Sequence, residues 1–151
     1  MTRITRRSFV LASFAATALV ASGLSAHAAS ETLEVYKTPW CGCCTAWVDH
    51  MQGAGFAVRV TEMEDLEPFK ARHGVTADLA SCHTALIGGY VIEGHVPAAD
   101  VARLLKERPE ATGLAVPGMP VGSPGMEING EADPYEVVLF GPVTRETFAP
   151  Y

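Results

Sequence analysis

Apolar and polar positions alternate from Leu33 to Lys37, which predicts a β-strand, and Thr38-Pro39 ends it. From Cys44 the period changes to a helical one: Cys44, Val48 and Met51 fall at i, i+4 and i+7 until Gly53 and Gly55 break the pattern. That spacing places Cys44 on the buried stripe and makes Met51 a core residue. A second strand is predicted over Phe56–Thr61 and a short helix over Asp65–His73, closed by Gly74. Two apolar runs, Thr84–Ile87 and Tyr90–Glu93, flank Gly88-Gly89 and read as a hairpin. A helix over Pro97–Arg108 follows, with Val101, Leu104 and Leu105 on one face, and Tyr135–Phe140 predicts a last strand.

The order strand, helix, strand, helix, hairpin, helix resembles that of thioredoxin. The expected fold is therefore α/β and thioredoxin-like: a mixed central sheet of about four to five strands flanked by helices, with the loop after the first strand at the sheet's carboxyl end. Between the last predicted helix and Tyr135, the stretch Ala111–Gly130 shifts to Gly, Pro and Met. A loop of that length in a small domain is a candidate for function.

The first residues follow different rules. Arg3, Arg6 and Arg7 precede an apolar run, Phe9–Ala21, and Ala26-His27-Ala28 has the small-residue spacing of a cleavage site. Residues 1–28 are read as a cleaved export signal, residues 29–151 as one mature domain, and the periplasm as the destination. Arg6-Arg7 followed by Phe9 suggests the twin-arginine route, which carries folded proteins; the alternative is an ordinary signal with adjacent arginines. The leader holds three of the 11 basic residues and none of the 17 acidic ones, so the mature chain carries a net −9. This argues against nucleic acid and anionic membranes as partners and is compatible with cations or a basic protein.

All four cysteines, Cys41, Cys43, Cys44 and Cys82, lie in the mature part. Two structural disulfides are the default for an exported chain. However, three cysteines packed into four residues would close only tiny rings and staple little. The stretch TPWCGCCTAW looks like the thioredoxin active site with an extra thiol, Cys43. Set at the start of a helix, Cys41 and Cys43 are favoured as thiolates, which are good nucleophiles and soft-metal ligands. In thioredoxin-like folds the segment facing this loop carries a proline before a threonine; here it reads Ser81-Cys82-His83-Thr84, bringing a fourth thiol and an imidazole to the same place.

Four thiolates and an imidazole select Cu(I), Zn(II) or an iron–sulfur cluster. A structural zinc site is served by the Cys41/Cys44 pair alone, and the iron–sulfur alternative has no familiar spacing here. Adjacent Cys43 and Cys44 diverge by roughly 100° on a helix, which suits bridging several ions better than closing one tetrahedron. The expected metal is Cu(I), in a thiolate-bridged multinuclear site formed by Cys41, Cys43, Cys44, Cys82 and His83. Met119 and Met126 are further soft-donor candidates in the Gly/Pro loop. His95 reads as a structural histidine able to approach the site, and His50 and His73 as helix-surface residues.

WCGCC, SCHTALIGGYVIEGHVP and GLAVPGMPVGSPGME together resemble the CopG-like copper-resistance proteins across nearly the whole mature chain. The resemblance implies a thioredoxin-like fold, periplasmic copper handling with the four cysteines as the metal site, and either interconversion of Cu(I) and Cu(II) or transfer to other copper-resistance proteins. Three functions stay open. One is Cu(I) sequestration or transfer. The second is a thiol-disulfide or copper oxidoreductase in which Cys41 attacks and Cys44 or Cys43 resolves. The third is a disulfide-stapled interaction module.

Overall fold

A computed structural model describes residues 31–151; the expected export signal, residues 1–28, lies outside the described residues. Its elements are β1 (Leu33–Lys37), α1 (Gly42–Gly53), β2 (Val58–Glu62), α2 (Glu67–Arg72), β3 (Thr84–Ile87), β4 (Tyr90–Glu93), α3 (Ala98–Glu107), β5 (Gly113–Ala115), β6 (Glu136–Phe140) and β7 (Arg145–Pro150). The first seven follow the predicted order, and the fold is mixed α/β.

The sheet has seven strands in the order β2-β1-β3-β4-β5-β6-β7, which corrects the expected four to five. β1 is parallel to β2 and β4 to β5, and the remaining neighbours are antiparallel. The two unforeseen strands have no readable pattern of their own. β5 is three buried residues inside the Gly/Pro-rich stretch, and a Cβ on Gly113 would collide with the backbone carbonyl of Val91 on β4. Only glycine permits that approach. β7 is a mostly exposed edge strand ending at Pro150, held by pairing with β6.

Alternation along the strands divides the core between the two sheet faces. On one face Leu33, Val35, Ala85, Ile92 and Leu114 pack against Trp47, Val48 and Met51 of α1 and Val101 and Leu104 of α3. The other holds Val91, Ala115 and Phe140 against Val75 and Leu79. Each fully buried large side chain contributes about 1.5–3 kcal/mol relative to exposure. Cys44 and Met51 are buried on the predicted stripe. Trp47 joins them and donates its indole N–H to Val96 O at 2.9 Å, tying α1 to the segment entering α3. His50, read as a surface residue without a role, accepts the Ala98 backbone N–H at 3.1 Å and so helps cap α3. No helix among the described residues is long and apolar enough to cross a membrane.

Candidate metal centre

The cysteine loop leaves the end of β1 through a tight turn closed by Cys41 N–H to Thr38 O (3.2 Å). Cys41 is the N-cap of α1, and its sulfur accepts the Cys44 N–H at 3.3 Å, in the way a side-chain oxygen caps other helices. Cys41 and Cys44 are joined as a disulfide, whereas Cys43 and Cys82 are free thiols. Cys43 Sγ lies 3.5 Å from Cys41 Sγ and 3.8 Å from Cys82 Sγ. The four sulfurs, 38 or more residues apart in the case of Cys82, all fall within 4.8 Å of one another. Trp40, the residue before Cys41, is 71% exposed.

Cys82 reaches the cluster because Ser81–His83 runs directly into β3. Thr84 pairs with Glu93 and Ala85 with Ile92 in the β3–β4 hairpin. The same register continues beyond the strands, where Gly94 N–H bonds His83 O at 3.0 Å. One step further Cys82 meets His95, whose Nε2 is 2.9 Å from the Cys82 sulfur. His95 is thus at the site, closer to a cysteine than the expected His83, whose Nδ1 lies 3.4 Å from Cys82 Sγ. His83 is wholly buried, its ring 4.4 Å from that of Trp47 and edge-on to His95 at 5.1 Å. Its Nε2 has no hydrogen-bond partner among the described residues.

Burial sets the protonation of these groups. It pushes the Cys82 thiol up to about 12, helped by the neighbouring Cys43, so without metal this sulfur keeps its proton at neutral pH. Burial also holds His83 well below the usual imidazole range, with His95 and Lys70 adding repulsion, and lowers His95 as well. Both rings are therefore neutral, the form that binds metal. In the unfolded chain each takes up a proton near pH 6.5, so the unfolded state binds more protons below that value and stability falls with pH. Metal-free protein is expected to lose stability as pH falls through 6.5, at a rate that climbs toward about 1.4 kcal/mol per pH unit for each histidine once the pH is well below that value and the folded ring is still neutral. Urea unfolding at pH 7.5, 6.5 and 5.5 measures this, and equal stability at pH 6.5 and 5.5 would contradict it.

A buried ionic network braces the Cys82 segment from behind. Lys70 on α2 and Glu93 on β4 pair at 2.5 Å, both almost inaccessible. Glu93 also accepts the Ser81 N–H at 2.7 Å and the Thr84 hydroxyl at 2.6 Å, and Lys70 donates to Thr84 Oγ1 at 3.0 Å. The carboxylate thus grips the residues on both sides of Cys82-His83. Burial pushes its carboxyl up, while Lys70, Thr84 and Ser81 pull it back toward the charged form.

The Gly/Pro stretch forms a strap across the other side. A Cβ on Gly125 (φ +85°) would stand 2.7 Å from Cys43 O and 2.8 Å from Trp47 N, so the strap lies directly on the first turn of α1. Pro124 O faces His95 Nδ1 at 2.8 Å. A carbonyl only accepts, so Nδ1 carries the proton and Nε2 presents its lone pair to Cys82. Met126 follows Gly125 and is half-buried; Met119 is 53% exposed, beside Gly118, whose backbone holds Ala80 and Ser81. His73 lies on α2, its Nδ1 against Phe69 O.

The molecule is thus an α/β domain in which four sulfurs and two neutral imidazoles converge into groups that could hold a soft metal ion. A family described as a protein of unknown function, DUF411, matches residues 79–126. Comparison with curated proteins finds no match. Two solved structures, titled copper resistance protein CopG form 2 and form 1, are each 43% identical and cover 80% of this chain. They superpose with TM-scores of 0.77 and 0.76, over 98% and 96% of their own lengths. The chain belongs to the CopG copper-resistance family.

Proposed function

We propose that the protein is exported to the periplasm and there binds copper as Cu(I) through Cys41, Cys43, Cys44 and Cys82, lowering free copper or passing it on. The observation that carries this reading is the meeting of four sulfurs within 4.8 Å in a chain with copper-resistance relatives. Thiolates at that separation share ions readily, which favours more than one Cu(I) per chain. The order of the first seven elements supports a thioredoxin-like core extended by β5–β7. Met126, next to the strap glycine on α1, and the exposed Met119 are candidate entry ligands. The acidic surface suits cations in transit.

Binding requires the Cys41–Cys44 disulfide to be reduced first and displaces the Cys82 proton. Reduced mature protein, residues 29–151, is expected to take up more than one Cu(I) per chain in an anaerobic titration. It is also expected to release protons into weakly buffered solution. One zinc per chain after anaerobic purification, with no gain on adding Cu(I), would defeat the multinuclear reading.

The Cys41–Cys44 disulfide itself favours a second reading, an oxidoreductase. Cys44 is buried and Cys41 partly accessible, the arrangement in which the outer thiol attacks and the inner one resolves. Oxidation of the dithiol yields two electrons and two protons, enough to reduce two Cu(II) to Cu(I) or one disulfide to two thiols. Turnover of a test disulfide by metal-free protein, lost in Cys41→Ser, would place this reading ahead of storage.

A further inference from the structure

We propose that Cys82, His83 and His95 form a second metal site that survives closure of the Cys41–Cys44 disulfide and takes a single divalent ion of the zinc and copper class. Their ligand atoms lie within 4.8 Å of one another, as a set distinct from the four sulfurs. The disulfide ties up Cys41 and Cys44 but leaves Cys82 a free thiol and both imidazoles in place.

Two observations point to an ion. His95 is oriented as metal-bound histidines usually are, one ring nitrogen spent on a backbone carbonyl, Pro124 O at 2.8 Å, and the other aimed at the neighbouring ligand. His83 is fully buried, and its Nδ1, the ring nitrogen on the Cys82 side, faces only the Cys82 sulfur at 3.4 Å. A thiol is a weak hydrogen-bond partner for a buried imidazole nitrogen, and an ion held between the two replaces that contact with a stronger one. Ligands bound to one ion at about 2.0–2.3 Å stand roughly 3.3–3.8 Å apart in tetrahedral geometry. The Cys82–His83 separation of 3.4 Å already falls there, and Cys82–His95 at 2.9 Å needs an opening of about half an ångström. One sulfur and two nitrogens suit a borderline ion, whereas four sulfurs suit Cu(I). Oxidation of the pair would therefore change which ion the protein holds and leave it still able to hold one.

The site shares Cys82 with the proposed copper site, but cobalt tests it without copper, so failure of Cu(I) capture and failure of this inference are separate results. Mature protein with the disulfide closed, and the Cys41→Ser/Cys44→Ser variant, are titrated anaerobically with Co(II) as a spectroscopic stand-in for zinc. Both are expected to bind one cobalt per chain with an intense sulfur-to-cobalt band and tetrahedral visible bands. Cys82→Ser should lose the sulfur band, and His95→Ala should weaken binding at least tenfold. Because His83 belongs to the core, it is read without mutation: Zn(II) added to the unmodified, disulfide-closed chain should shift the ring-nitrogen resonances of both His83 and His95. Absence of cobalt uptake by the disulfide-closed protein, or uptake with both sets of ring resonances unmoved, would overturn the inference.

Discussion

Cys82→Ser is expected to remove at least one Cu(I) per chain and to weaken the remainder beyond the roughly 10–100-fold typical of losing a group that merely supports a ligand. Cys41, Cys43 and Cys44 all come from the N-cap and first turn of α1 and approach an ion from that side only, so without Cys82 they cannot enclose it from the opposite side. Cys82 alone comes from the facing segment, 3.8 Å from Cys43 and 2.9 Å from His95, and is the one thiol common to the sulfur and imidazole sets. Serine is close in size and the position is only partly buried, so the fold should survive. Competition with a chromogenic Cu(I) chelator, alongside a melting curve, gives the answer. Unchanged stoichiometry in a folded variant would mean that the α1 cysteines hold copper by themselves.

The largest loss of stability is expected from Glu93→Ala, about 3–5 kcal/mol, because it strands the Lys70 ammonium in the core. It also leaves the Ser81 amide and the Thr84 hydroxyl without their acceptor. Replacing both partners, Lys70→Met with Glu93→Leu, should cost markedly less than the two single changes combined, since apolar groups of similar volume need no pairing. Urea unfolding of the metal-free chain measures all of these. A Glu93→Ala cost below about 1 kcal/mol, or strict additivity of the pair, would show that the network is not coupled.

The fold was legible as far as it depends on local period. The alternation at Leu33–Lys37, the helical stripe from Cys44 to Met51 and the hairpin around Gly88-Gly89 all appear where the pattern puts them, with ends shifted by a residue or two. β5 and β7 were not legible: one is three residues long, the other an exposed edge, and both exist because a neighbouring strand accepts them. His95 was underestimated for a different reason. The Gly-Gly turn determines a register in which Thr84 faces Glu93, and counting two residues outward sets Cys82 opposite His95. The information was present, but it requires extending the hairpin past the strand ends, where composition signals a loop.

What the sequence by itself determined is the chemistry on offer: four thiols, three of them at a strand-to-helix junction, and two histidines, His83 just before and His95 just after the hairpin. Periodicity and turn residues are local properties of the chain, so they survive reading in one dimension. Tertiary structure decided how those donors divide, with Cys41 and Cys44 paired, Cys82 shared, and His83 and His95 turned toward it. It also decided that a strap of glycines and prolines would set the tautomer of His95 and that a buried Lys70–Glu93 pair would grip the cysteine segment. Several of those outcomes rest on contacts between residues distant in the chain, where packing and desolvation govern, as in the pairs Lys70–Glu93, His95–Pro124 and Cys41–Cys82, which are 23, 29 and 41 positions apart.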